Sequence, residues 1–205
     1  LIFSTIAQIA HGQHNVKVVQ RSAEYVLSYV WDPSDAFMKH LLDKQVDMHF
    51  LLADCIVERL ADMWVSPEQE DALAAAEEAA METGEVIPNP RTLGVTSDFE
   101  SEEMSQAKKV IVACLSNAVG LCKVVGDQYG LQNSVIYFWN LHLPLFRNKL
   151  YASASEEVVT LLKTSLETMQ ALEANAAAPT ISSPAQLDGK LKSNIVEAIV
   201  LVAEA

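Results

Sequence analysis

The sequence predicts an all-α fold, an array of helical hairpins stacked as an α-solenoid, on three observations. Five helix-start signals recur along the 205 residues, each ahead of apolar residues at helical spacing. A hydrophobic content of 50% supports a buried core. The stretch Leu131-Gln-Asn-Ser-Val-Ile-Tyr-Phe-Trp-Asn-Leu-His-Leu-Pro-Leu-Phe146 also carries an unusually wide apolar face. At about 100° per residue, Leu131, Val135, Phe138, Trp139, His142, Leu143, Leu145 and Phe146 share half a helix circumference, with Ile136 at one edge. Such a helix belongs between two neighbours. Tyr137 points away from that face, toward a partner or water.

The start signals share one chemistry. Asp32-Pro33 offers an N-cap followed by proline at the first helical position, where no N–H is needed. Ser66-Pro-Glu-Gln69 and Ser183-Pro-Ala-Gln186 repeat the device and add a Ser-x-x-Gln capping box. Ser97-Asp-Phe-Glu100 and Ser153-Ala-Ser-Glu156 give the Ser-x-x-Glu version.

In chain order, residues 4–10 and 15–29 read as two helices joined at His11-Gly12-Gln13. Val18, Val19, Ala23, Val26 and Leu27 supply the buried side of the second. From Pro33 a long helix runs to about Trp64, with Met38, Leu41, Leu42, Met48, Leu52, Cys55, Ile56, Leu60 and Met63 recurring at helical spacing. Residues 67–83 are rich in alanine and glutamate, so helix propensity is high and burial small. Gly84 closes that helix. Residues 85–96, with Pro88-Asn-Pro90 and Gly94, are too broken for helix and read as a mobile linker. Its deletion is expected to leave helical content nearly unchanged.

Further helices are expected at about 100–125, 128–143, 155–175 and 185–203, with Gly126 and Gly130 flanking a turn and 176–183 a loop. Pro144 would clash with the carbonyl of Asn140 in a continuous helix, which predicts a break there. The chain thus divides into an N-terminal helical segment at 1–83, an acidic Pro/Gly-containing linker at 84–97 and a C-terminal helical segment at 98–205. Helix starts fall 26 to 34 residues apart with one helix per interval. A standard tetratricopeptide repeat places two helices in about 34 residues. The expected repeats are therefore degenerate or elongated tetratricopeptide-like hairpins.

Neither end has the look of a natural terminus. The chain opens on Leu1-Ile-Phe3 and stops within an apolar helix, which predicts a piece of a longer protein. Residues 1–10 lack the basic start and cleavage site of a signal peptide. Cys55, Cys114 and Cys122 are odd in number and set among apolar residues, so they read as small buried hydrophobes in a reducing compartment. The net charge is −13, and eleven carboxylates against Arg91 alone lie between Ser66 and Glu103. That band disfavours nucleic acid and anionic membrane surfaces. It reads as a solvated face, with docking of a basic partner the alternative.

Catalytic patterns are missing. There is no Gly-x-x-x-x-Gly-Lys, Gly-x-Gly-x-x-Gly, Gly-x-Ser-x-Gly or His-Glu-x-x-His. Val119-Gly-Leu-Cys-Lys-Val-Val-Gly126 has no strand ahead of it, so its glycines serve helix packing. His11 and His14 straddle a turn and read as loop histidines before they read as metal ligands. His40 and His49 lie nine residues apart, on opposite sides of one helix. His142, inside the aromatic stripe, reads as a core histidine. Glu102-Glu103 and Glu156-Glu157 suit helix N-termini, where carboxylates meet the helix dipole. Glu77-Glu78 lies on an exposed face. The chain is expected to be no enzyme and to need no cofactor or metal.

One resemblance goes further. Gln132-Asn133, Tyr137, Trp139-Asn140 and Leu143-Pro-Leu145 resemble a stretch of the cilia- and flagella-associated protein 46 family. These are large helical, tetratricopeptide-type proteins of the axonemal central apparatus. A weaker similarity runs from Ala23-Glu-Tyr-Val26 through Trp31-Asp-Pro33 to Gln45-Val-Asp-Met-His-Phe-Leu-Leu-Ala53. The resemblance implies a non-catalytic scaffold in a projection of a central-pair microtubule, in the cilium or flagellum, supporting motility. Its partners would be other central apparatus proteins, with indirect microtubule association and no nucleic acid or membrane. Tyr137, Trp139, Asn140 and Phe146 are the residues expected to hold hairpins together, Tyr137 nearest a partner. Trp31 and Trp64 are further packing or interface candidates. The alternative is a soluble α-solenoid adaptor that binds peptides in trafficking or signalling.

Overall fold

A computed structural model describes residues 2–30, 38–63, 66–83, 86–176 and 189–205. Among them the secondary structure is helical: α1 (Ile2–Gly12), α2 (Val16–Leu27), α3 (Met38–Ala61), α4 (Pro67–Thr83), α5 (Glu102–Val125), α6 (Gln128–Leu141), α7 (Leu143–Arg147), α8 (Glu156–Ala176) and α9 (Gly189–Glu204). A 3-10 turn, Tyr151–Ser153, precedes α8. The all-α expectation holds. The helices fall into two compact units, to each of which α5 and α6 contribute residues.

The first unit comprises Leu1–Ala61 and Lys109–Ser134. α1 and α2 form a hairpin packed on α3. His14 takes the left-handed conformation at φ +54°, and the Asn15 side chain then caps α2 by accepting from the Val18 N–H at 3.3 Å. Ala10, Val19 and Cys55 form a small core, with Val16 and Leu51 against it. Gln45 is buried on α3 and donates to the carbonyls of Val26 and Tyr29, at 3.2 and 3.0 Å. Val26 O also accepts from the Tyr29 N–H at 3.3 Å, so Gln45 adds a second donor just where α2 ends. Of the side expected to be buried on α2, Val19 and Ala23 are buried, while Val18 is exposed. α1 buries Ser4, Ala7 and Ala10 and meets α2 also through Phe3, whose ring lies 4.1 Å from that of Tyr25.

On α3 the expected stripe is largely present, with Leu42, Met48, Leu52, Cys55 and Leu60 buried. From α5 and α6 this unit takes Ile111, Cys114, Leu115, Ala118, Cys122, Leu131 and Ser134, all buried. Gly126 closes α5 at φ +73°, and the Asp127 N–H returns to the Cys122 carbonyl at 3.0 Å.

The second unit comprises Asp62–Lys108 and Val135–Ala205. α4 begins with the expected capping box: Gln69 N–H donates to Ser66 Oγ at 3.2 Å, and Ser66 N–H to Gln69 Oε1 at 3.3 Å. Two other start signals are displaced. Ser97 accepts from Phe99 N–H in a turn, and Ser101 instead caps α5 through Met104 N–H at 3.2 Å. Ser155, not Ser153, caps α8 through Val158 N–H. In each case a nearer hydroxyl takes the role and the glutamate of the motif is left for other work. The Asp32-Pro33 and Ser183 signals lie outside the described residues.

The expected mobile linker is packed instead. Leu93, Gly94 and Val95 are buried, and Val95 forms an antiparallel bridge with Ala154. Thr96 N–H donates to Ser153 O at 2.9 Å and Ser155 N–H to Gly94 O at 2.7 Å. Arg91 donates from Nη2 to the Met63 carbonyl at 3.0 Å. Proline and glycine in 86–100 preclude helix, but the apolar side chains between them still find a core. α8 and α9 pack together beyond it, burying Val158, Leu162, Met169, Ile195 and Ala198.

Candidate functional site: the aromatic elbow of α6 and α7

Pro144 sets the geometry of this region, which lies within the second unit. α6 stops at Leu141, and α7 restarts at Leu143 with proline in its first turn. The break expected at Pro144 is present. It redirects the chain, so Trp139 before the break and Phe146 after it stack with ring centroids 4.4 Å apart and planes at 15°. Phe138 and His142 form a second ring contact at 4.5 Å.

Val135, Phe138, His142, Leu145 and Phe146 are buried, Trp139 and Leu143 half-buried. Tyr137 is half-buried as well. Asn140, one of the residues expected to hold hairpins together, is exposed. It follows Phe138 by two positions, about 200° around the helix, on the side away from the core. Trp31 and Trp64 lie outside the described residues.

His142 is fully enclosed, and its Nδ1–H donates to the Phe138 carbonyl at 2.9 Å. That assigns the Nδ1–H tautomer and leaves Nε2 a buried lone pair without a partner. Burial pushes its pKa down to about 4, opposed by the bond to Phe138. Gly94 makes the enclosure possible. At φ +76° its backbone passes so close that a Cβ there would lie 2.7 Å from His142 Cδ2 and run into Val158 Cγ2. The ring is a filler of fixed orientation, and its reactive nitrogen is shielded from any substrate.

A second buried polar contact escaped the sequence reading. Lys108, on the first turns of α5, donates to Glu100 at 2.7 Å and to the Val95 carbonyl at 2.9 Å. Burial holds its ammonium below the ordinary lysine range, while the hydrogen bond to Glu100 acts the other way. The signal was there: Met104, Lys108, Ile111 and Leu115 share a helical stripe, with a lysine where an apolar residue is expected.

The remaining candidates do not converge. His11 Nε2 lies 3.9 Å from Asp54 and His14 Nδ1 3.7 Å from Glu58, each facing a different carboxylate. His40 is exposed, and burial lowers the pKa of His49. Burial pushes Cys55, Cys114 and Cys122 up to about 11, which keeps them as thiols near neutrality. Glu102-Glu103 and Glu156-Glu157 stand in first turns of α5 and α8. Among the described residues no group of three or more His, Cys, Asp or Glu could hold a metal ion, and no helix is long and apolar enough to cross a membrane. Comparison with known protein families, curated proteins and solved structures finds no match to this chain.

Proposed function

We propose that this chain is a non-catalytic scaffold segment in a projection of a central-pair microtubule of the ciliary or flagellar axoneme. Its work is to hold other central apparatus proteins in place and so support motility. The observation that carries the reading is the resemblance of residues 132–145, whose aromatic and proline residues lie in the α6–α7 elbow. The supporting chemistry is negative charge, inert thiols and an enclosed imidazole, a set suited to packing.

On this reading the hairpins are degenerate tetratricopeptide-like repeats of an α-solenoid, which offers long surfaces to several partners at once. Microtubule contact is indirect, because a chain of net charge −13 is repelled by an acidic lattice. Fractionation of detergent-extracted axonemes tests the assignment. The parent protein should stay with the axoneme and leave it only with other projection components. A protein found wholly in the soluble fraction would replace this reading with a peptide-binding adaptor.

A further inference from the structure

α1 is assembled with its large side chains outward. Ser4, Ala7 and Ala10 face the first unit's core, whereas Ile2, Ile6 and Ile9, at i, i+4 and i+7, face out. Ile2 keeps 76% of its exposure and Ile9 58%. The helix IFSTIAQIAHG contains no Lys, Arg, Asp or Glu. Solvent-facing helices ordinarily carry polar residues on that side, so a charge-free aliphatic stripe marks a contact surface.

The stripe continues onto α2. Phe3 and Tyr25 meet with ring centroids 4.1 Å apart, and beside them lies a cleft of about 260 Å³ lined by Tyr29, Leu41, Lys44 and Gln45. One and two helical turns before Tyr25, on the same side of α2, stand Arg21 and Lys17. Both are exposed, and neither has a carboxylate partner among the described residues. Glu24, the acid nearby on α2, accepts a hydrogen bond from Gln20. Two cations with no carboxylate partner among the described residues, set beside an uncharged stripe, are conspicuous in a chain of net charge −13.

We propose that the outward face of α1, with the Phe3–Tyr25 corner and its cleft, docks an amphipathic helix of another protein whose apolar stripe is flanked by acidic residues. Ile2, Ile6 and Ile9 meet the apolar stripe in the helix-in-groove manner, and the cleft takes one bulky anchor. Lys17 and Arg21 select the acidic flank, setting partner choice and salt dependence more than raw affinity. An anionic membrane is the less suitable occupant, since two cations do not offset the charge of the whole chain. The proposal stands whether or not the axonemal assignment does.

The test is a display selection on the whole 205-residue chain, using helical peptides with leucines fixed at i, i+3, i+4 and i+7 and randomised flanks. Ile6→Glu and Ile9→Glu proteins, checked by circular dichroism, serve as controls. Enriched peptides should carry Asp or Glu on one flank and lose at least about tenfold in affinity on either variant. Arg21→Glu should reverse the flank preference. Enrichment no better than on the Ile9→Glu protein overturns the proposal, as do basic or neutral flanks. Self-association of the chain in sedimentation that Ile9→Glu abolishes would assign the face to a second copy. Flotation with phosphatidylserine vesicles, lost in the same variant, would assign it to lipid. Either result overturns it too.

Discussion

Lys108 and Glu100 meet at 2.7 Å where each side chain retains 10% of its exposure, and the same ammonium closes on the Val95 carbonyl. One lysine thus pins the 86–101 segment to the start of α5. Removing either charge leaves the other buried, which ordinarily costs about 3–5 kcal/mol. Lys108→Met should sit toward the lower end, because methionine fills the stem's space. Glu100→Gln keeps an acceptor and should cost less. The double variant should be less destabilised than the two singles added together. Denaturant titration of all four proteins measures that coupling, and additive losses would show that the pair does not act as a unit.

Gly94→Ala should destabilise the second unit by about 2 kcal/mol or more. Two effects act together there. A positive φ is strained for any residue with a Cβ, and the new methyl would meet Val158 and His142. Circular dichroism melts of the wild type and the variant check the loss. A Gly120→Ala control, whose Cβ would meet nothing within 4 Å, should raise stability slightly if it does anything.

These two residues also show where sequence reasoning ran out. The helices were legible because caps, alanine and 3.6-residue spacing act within one or two turns of chain. α4 and the break at Pro144 follow from such local chemistry alone. Residues 85–96 read as a linker from sequence, whereas the described part, 86–96, is ordered by distant partners: Ala154 for Val95, Ser153 for Thr96, Met63 for Arg91. Nothing local distinguishes a Pro/Gly stretch with such partners from one without them. The aromatic stripe was legible as a face, but not the roles within it. Asn140 fell outside the core because its angle on the helix, and not its nearness in sequence, decides burial. Deleting 86–96 removes Leu93, Gly94 and Val95 and leaves Ala154, Ser155 and the Met63 carbonyl without their partners, so the second unit should lose most of its cooperative melting. Retained melting would return the segment to the status of a linker.

Acid should weaken the fold through His142. The free imidazole titrates near 6.5 and the buried one near 4, so its folded pKa is depressed. Above about pH 6.5 both states are neutral and the contribution is complete. As pH falls from there, the unfolded chain takes a proton that the folded chain refuses. Stability drops until about pH 4, where the folded ring also accepts it. The loss over that window is about 3 kcal/mol. His49, whose pKa burial also lowers, acts in the same direction, while Asp54, raised by burial, acts in the opposite one. His142→Leu removes one titration and fills the ring's space. Urea midpoints between pH 7.5 and 4 should fall less steeply in that variant. Parallel curves would remove His142 from the account.

Trp139 and Asn140 are neighbours in sequence with opposite fates, which makes them a paired test of the elbow. Trp139 is half-buried and stacked on Phe146 across the helix break, whereas Asn140 is exposed. A fully buried tryptophan would cost about 3–5 kcal/mol on truncation to alanine. With part of the indole already in solvent, Trp139→Ala should cost about 2 kcal/mol, made up of lost apolar area and the ring pair. Trp139→Phe should recover about half of that by keeping the stack. Asn140→Ala should stay within about 0.5 kcal/mol, since it touches no core. Urea titration separates the three, and intrinsic fluorescence reports whether the indole loses its partner. A Trp139→Ala loss below 0.5 kcal/mol, by the same surface criterion, would mean that α6 and α7 are held together without the stack.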